Sequence, residues 1–199
     1  MRSRTAPDGG GRCARCALHR AECACQLLPT LGVRTRFVVL RHAKEAPKSS
    51  NTARWAALLL PNCELLPWEA RTDAARLGAI GAPGDWLLFP AEVPRAAPGL
   101  PGPPPSRLVV LDGTWRQVRR MLRALPALQR IPRFSVGPRP GRVGLRAAPS
   151  PSHLSTLEAI SSAIAALEGE ALAEALDGWH RELVARALRA RGRCLPEAA

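Results

Sequence analysis

Short apolar runs alternate along the chain with polar or Pro/Gly-rich stretches, and this spacing predicts the elements of the fold. Runs of strand length that are rich in Val, Leu, Phe and Trp predict β-strands, because these side chains fit a buried pleated surface. The predicted strands lie at 33–40, 63–68, 85–89 and 107–111, with one or two more within 131–147. Pro and Gly dominate residues 94–106, which predicts a surface loop.

Amphipathic stretches lie between and after these runs and predict helices. Asn51 is a typical N-cap for a helix that Pro61 ends, and residues 114–125 form a basic helix ahead of Pro126. Ser155 to Glu158 has the capping-box pattern, and a last helix follows with a stripe of Leu and Trp on one face. Strands alternating with helices predict an α/β fold with a largely parallel sheet, whose site lies at the carboxyl ends of the strands.

Charge adds a candidate partner to this fold. The chain has 199 residues, 46% of them hydrophobic, and a net charge of +13. Such an excess favours a polyanion such as nucleic acid, the alternative being a merely soluble cationic protein. No apolar run has the roughly 20 residues of a membrane span, and the N-terminus lacks a secretory h-region, so we expect a cytoplasmic protein. Neither a dinucleotide-binding glycine motif nor a P-loop is present.

Four cysteines lie close together near the N-terminus, at Cys13, Cys16, Cys23 and Cys25. In a reducing compartment such a cluster indicates a metal site, and four thiolates favour structural zinc. An iron–sulfur centre and unligated or disulfide-bonded cysteines are the alternatives, and His19 could replace one cysteine as a ligand. We expect residues 1–30 to form a zinc knuckle with a disordered start, and residues 31–199 to form the main domain.

Several short motifs resemble those of one protein family. Asp112, Thr114 and Trp115 form a D-x-T-W sequence directly after a predicted buried strand. This pattern resembles the signature of the DTW-domain family, the tRNA-uridine aminocarboxypropyltransferases. Three further segments, 48–54, 88–90 and 154–159, and the cysteine cluster resemble motifs of that family in the same order. The resemblance extends from Cys13 to the last helix.

The resemblance implies a fold, an activity and a site. The fold would be SPOUT-like, with a trefoil knot that forms the pocket for S-adenosylmethionine (SAM). The activity would be transfer of the 3-amino-3-carboxypropyl group of SAM to N3 of a uridine in tRNA, which releases methylthioadenosine. Asp112 would be essential, as the proton acceptor or as a group that orients N3–H or holds the SAM amino group. The implied SAM-binding residues are Phe89, Pro90, Leu111, Gly113, Thr114, Trp115, Ser155, Thr156 and Glu158.

Simpler structural roles stand beside some of these assignments. Thr114 could begin the next helix, Trp115 could belong to the core, and the residues from Ser155 to Glu158 could form a simple capping box. The alternative activities are methyl transfer by a knotted RNA methyltransferase, aminocarboxypropyl transfer to ribosomal RNA, and RNA binding by a zinc module without catalysis.

Basic residues supply the expected contact with tRNA. A positive stripe with i, i+3, i+4 and i+7 spacing lies on the helix after Asp112, and the segment 48–54 adds to it. We predict a monomer that binds RNA through Lys48, Asn51, Arg54, Arg116, Arg119, Arg120 and Arg123.

Overall fold

The computed structural model describes residues 11–69, 80–90, 103–145 and 153–195. The predicted disordered start and most of the predicted Pro/Gly-rich loop lie outside these residues. Five strands and five α-helices occur within them. They are β1 (Arg36–His42), α1 (Ala53–Leu59), β2 (Cys63–Trp68), β3 (Asp85–Leu88), β4 (Arg107–Asp112), α2 (Trp115–Ala124), α3 (Ala127–Arg130), β5 (Arg133–Phe134), α4 (Thr156–Glu168) and α5 (Glu170–Arg189).

The five strands form one sheet in the order β2-β1-β4-β3-β5, and every described pairing is parallel. Side chains alternate between the two faces. Phe37 and Val39 of β1 pack in one core with α1, α4 and α5. Val38 and Leu40 pack in a second core with α2 and α3. The predicted α/β fold with a parallel sheet flanked by helices is thus confirmed.

Local chemistry explains where the predicted boundaries were wrong. β1 begins at Arg36 rather than at Val33, because Glu168 accepts the backbone N–H groups of Arg34 and Thr35 at 2.8 and 2.7 Å. Those groups are therefore not available to a neighbouring strand. The N-cap of α1 is Thr52, although the Asn51 side chain still accepts a hydrogen bond from the backbone of Arg54. α3 was not predicted, since four residues are too few to show a helical period.

The cysteine-rich segment packs on the same core as α1, α4 and α5. Cys16 and Leu18 are buried in that core, and the Trp55 indole of α1 donates a hydrogen bond to the Cys16 carbonyl at 2.9 Å. Arg189 of α5 pairs with Glu22 at 3.2 Å. The segment is therefore attached to the sheet domain through α1 and α5. No helix in the described part of the chain combines the length and the apolar character needed to cross a bilayer.

Candidate functional site

Asp112 is the last residue of β4, at the carboxyl edge of the sheet. β4 lies between β1 and β3 in the sheet, so this edge is flanked on both sides by other strand ends. Asp112 is opposite Arg41 in the β1–β4 register, and only 6% of its surface is exposed. A buried carboxylate at this position of a parallel sheet is a candidate for function.

Two neighbouring elements hold the Asp112 carboxylate. Asn51 Nδ2 donates a hydrogen bond to Oδ2 at 2.5 Å, and the Thr156 hydroxyl donates one to Oδ1 at 2.6 Å. Burial raises the pKa of Asp112 above its ordinary value, while the hydrogen bonds from Thr156 and Asn51 act in the opposite direction. The result is a fixed carboxylate with a greater proton affinity than an exposed aspartate.

Two cavities adjoin Asp112 and share part of their walls. The smaller, of about 150 Å³, has no charged side chain among the described residues of its wall, which include Leu88, Phe89, Leu111 and Val136. The larger, of about 520 Å³, has charged and polar residues beside apolar ones in its wall, and these include Asp112 itself. The residues common to both are Gly113, Trp115, Leu154, Ser155 and Thr156. All the residues predicted to bind SAM line one or both cavities.

The Trp115 side chain forms part of both walls and is 41% exposed. Its ring contacts the edges of two other rings, those of Phe89 at 5.8 Å and His153 at 5.6 Å between centroids. The guanidinium of Arg133 lies over the Phe89 ring, 5.3 Å from the ring centroid. Trp115 is therefore not a core residue, and its exposed part is available to a ligand.

The turn after β4 positions α2. Thr114 is the N-cap of α2 and forms a capping box with Gln117, in which the Thr114 N–H donates to Gln117 Oε1 at 2.6 Å. A Cβ atom at Gly113 would lie 3.1 Å from the Gln117 side chain, so glycine is the residue that fits this approach. The structural role predicted for Thr114, beginning the helix, is the one observed.

The N-terminus of α4 forms the opposite wall. Ser155 and Glu158 form the predicted capping box, with the Ser155 N–H donating to Glu158 Oε2 at 2.7 Å. Burial would raise the pKa of Glu158, but Arg142 at 3.0 Å and the Ser155 hydrogen bonds lower it below the ordinary value. Arg142 also donates to the His153 carbonyl at 2.5 Å. No motif in the sequence identified Arg142 as a partner of Glu158, because a Gly- and Pro-rich stretch of the chain separates the two residues.

The segment between β1 and α1 covers the site on the other side. Glu45 is 5% exposed, lines the larger cavity and pairs with Lys48 Nζ at 2.5 Å. Arg54 donates to the Ala46 carbonyl at 2.5 Å. Lys48 and Arg54, both predicted to bind RNA, thus also hold this segment. Asn51 was predicted to bind RNA as well, but it is 5% exposed and bonded to Asp112.

The predicted arginine stripe lies on the outer surface of α2. Val118 and Met121 face the sheet, and all four arginines of the stripe are exposed. Arg120 lies near enough to His42 to contribute to the lowered pKa of that residue, which is due first to burial. At Arg120 the stripe is therefore close to His42, the last residue of β1, and to the segment that follows it.

The four predicted metal ligands lie together. The Sγ atoms of Cys13 and Cys25 are 3.7 Å apart, those of Cys16 and Cys23 are 3.8 Å apart, and all four lie within 4.8 Å of one another. Four sulfurs around a tetrahedral zinc at about 2.3 Å are about 3.8 Å apart, so the cluster fits such an ion. These four cysteines could hold a metal ion, and the described cluster does not include His19.

Comparison with known proteins gives three findings. The sequence profile of the DTW domain matches residues 10–188. A Drosophila melanogaster protein called tRNA-uridine aminocarboxypropyltransferase 2 is 28% identical over 182 residues, which cover 81% of this chain and 68% of that protein. An Arabidopsis thaliana protein called tRNA-uridine aminocarboxypropyltransferase A is 27% identical over 132 residues, 56% of this chain and 50% of that protein. No solved structure matches significantly.

Proposed function

Because this chain belongs to the DTW-domain family, we propose that it transfers the 3-amino-3-carboxypropyl group of SAM to N3 of a uridine in tRNA. The names of the fruit-fly and Arabidopsis relatives support transfer of this group to a tRNA uridine. One observation in the site carries the proposal. A buried carboxylate, fixed by Asn51 and Thr156, lies beside an apolar and a polar cavity that share a wall.

The proposed reaction is a single displacement. N3 of uridine forms a bond to the γ-carbon of the methionine part of SAM, and the bond from that carbon to sulfur breaks. The electron pair of the broken bond stays on sulfur, so the positive sulfonium becomes the neutral thioether of methylthioadenosine. The proton of N3 must leave at or before bond formation, and it therefore requires an acceptor.

Asp112 is the acceptor in this proposal. An ordinary aspartate is a weak base for so weak an acid, but burial raises the pKa of Asp112 and so increases its proton affinity. The hydrogen bonds from Asn51 and Thr156 keep the carboxylate in one orientation. A fixed acceptor reduces the reorganisation that proton transfer would otherwise require.

The two cavities suggest how SAM lies in the site. We assign the adenine to the apolar cavity, against the wall that Phe89 and Trp115 form together, since a flat aromatic base packs well against rings and aliphatic side chains. The amino-acid arm would then extend into the polar cavity beside Asp112. Leu157 and Glu158 at the start of α4 already donate their N–H groups to side chains, so the Thr156 N–H is the one that would bind its carboxylate. This orientation would present the γ-carbon, rather than the methyl group, to the nucleophile.

The tRNA would bind across the entrance of the cavities. The arginine stripe of α2 is exposed, and Lys48 is partly exposed beside Glu45 of the larger cavity, so the phosphate backbone is the partner that such a surface would fit. Asn51 belongs to the support of Asp112 in this proposal, and not to the RNA surface. Zinc, held by the four cysteines, would stabilise the knuckle. The trefoil knot and the monomeric state stay predictions.

Nucleoside mass spectrometry tests the proposed function. Purified protein is incubated with unmodified tRNA and SAM, and the digest is searched for uridine carrying an aminocarboxypropyl group. We expect this product with the wild type and its loss with Asp112→Asn. A methyl mass shift instead would show that the pocket binds SAM but transfers another carbon. If the product forms only on ribosomal RNA, the substrate is ribosomal RNA rather than tRNA. If no SAM-dependent product forms on either RNA, the proposal is refuted.

A further inference from the structure

The larger cavity is acidic, although the protein as a whole is strongly basic. The chain carries a net charge of +13, yet the charged groups among the described residues that line this cavity are three carboxylates and one guanidinium. Arg142 pairs with Glu158 and Lys48 pairs with Glu45, but Lys48 does not line the cavity and its side chain is far more exposed than that of Glu45. The carboxylates of Asp112 and Glu45 therefore border the cavity while the cation paired with Glu45 lies outside it, and an ammonium is favoured over a phosphate there.

Glu45 has no role in the proton transfer described above. It is the last residue of the short helical turn Ala43–Glu45 and the buried residue of that turn. Its side chain is 7% exposed, whereas that of its partner Lys48 is 36% exposed. The pair therefore has an outer cation and an inner carboxylate, and the inner group borders the cavity.

A second observation, independent of the carboxylates, shows a buried polar group in this cavity that the described protein atoms do not satisfy. His180 of α5 also lines it and is only 3% exposed. Its Nε2 atom is buried without a hydrogen-bond partner among the described residues. Buried polar atoms are nearly always satisfied, so a polar ligand or an ordered water is expected beside this group.

We propose that Glu45 binds the α-ammonium of the amino-acid arm of SAM and so determines which arm of the sulfonium faces the uridine. This inference rests on the proposed function. The arm to be transferred must be held, because each of the three carbons on sulfur could react. A buried carboxylate is the group that recognises an ammonium selectively. After transfer the ammonium leaves with the RNA, so methylthioadenosine no longer contacts Glu45 and can dissociate.

Binding measurements without RNA test this role. S-Adenosylhomocysteine and methylthioadenosine both contain a neutral thioether, but only the first carries the amino-acid arm. Isothermal titration of Glu45→Gln should show binding of S-adenosylhomocysteine weakened by about tenfold to a hundredfold, as for loss of a charged hydrogen bond. Binding of methylthioadenosine should change less than about twofold. The matched control is Glu64→Gln, which neutralises an exposed carboxylate on β2 and should alter neither ligand.

A second variant separates recognition from disruption of the segment. Lys48→Gln breaks the same ion pair but keeps the Glu45 carboxylate, so binding of S-adenosylhomocysteine should be kept or strengthened. The inference is overturned if Lys48→Gln weakens the binding of S-adenosylhomocysteine as much as Glu45→Gln does. It is also overturned if Glu45→Gln weakens the binding of both ligands equally, or leaves the binding of S-adenosylhomocysteine unchanged. If the selective loss is found but no aminocarboxypropyl product forms on tRNA, Glu45 keeps its role in binding the ammonium, while the proposed function fails.

Discussion

Asp112 lowers the stability of the folded protein at neutral pH. Burial raises its pKa, so the folded state binds this proton more tightly than the unfolded chain does. Stability is therefore lost as pH rises from the ordinary aspartate pKa through the folded value, and the penalty persists above it. We expect Asp112→Asn to unfold at a higher temperature than the wild type near pH 7, with the difference shrinking in acid. Calorimetry of both proteins across a range of pH measures this difference. A lower unfolding temperature for Asp112→Asn than for the wild type at every pH would contradict the prediction.

Thr156 lowers the pKa of Asp112 and so opposes the effect of burial. Its hydroxyl donates to the Asp112 carboxylate and so favours the charged form. Thr156→Val keeps the shape but removes the donor, and should therefore raise the pKa of Asp112 further. Because the carboxylate is the active form in the proposed reaction, the acidic limb of the pH–rate profile should move to higher pH. The control is Ser162→Ala on the same helix. The buried Ser162 hydroxyl has no hydrogen-bond partner within the described chain, so its removal should leave the acidic limb of the profile in place.

The exposed arginines of α2 should cause the salt dependence of tRNA binding. Each arginine that contacts a phosphate releases counterions, so Arg120→Gln should reduce the slope of log K against log salt by about 0.7 to 0.9. Affinity for tRNA should fall most at low salt, with no change in SAM binding. Arg191→Gln, an exposed charge near the end of α5, is the matched control. Equal effects of the two variants would show that net charge, rather than α2, binds the RNA.

The cysteine knuckle is expected to stabilise the core through a bound metal. Cys16 is buried against α1, and its carbonyl accepts the Trp55 indole hydrogen bond. Cys16→Ser should therefore reduce bound zinc from about one per chain and lower the unfolding temperature, because a metal that binds only the folded state stabilises it. Elemental analysis and calorimetry measure both. Cys63→Ser, at a buried thiol outside the cluster, is the control and should keep the zinc. A full zinc content after Cys16→Ser would contradict the assignment.

At the scale of the whole molecule, sequence alone predicted the elements with strong local patterns. The strand before Asp112, the basic helix after it and the capping box at Ser155 all depend on neighbouring residues, and all were predicted. The support of the site depends instead on distant residues. Arg142 reaches Glu158, and Glu45 reaches the cavity, only after the chain has folded. No periodic pattern marks such contacts, so the family motifs identified Asp112 and many of the residues that line the cavities, but not Arg142 or Glu45.

The contacts of Asp112 also affect when the site can form during synthesis. Its two hydrogen-bond donors lie 61 residues earlier and 44 residues later in the chain. The first donor is made before Asp112, but the second does not exist until residue 156 has left the ribosome. Contacts of this range form late, since a long loop must close first. A nascent chain that has already formed the whole sheet therefore still lacks the Thr156 donor to this carboxylate, and its site is complete only when α4 docks.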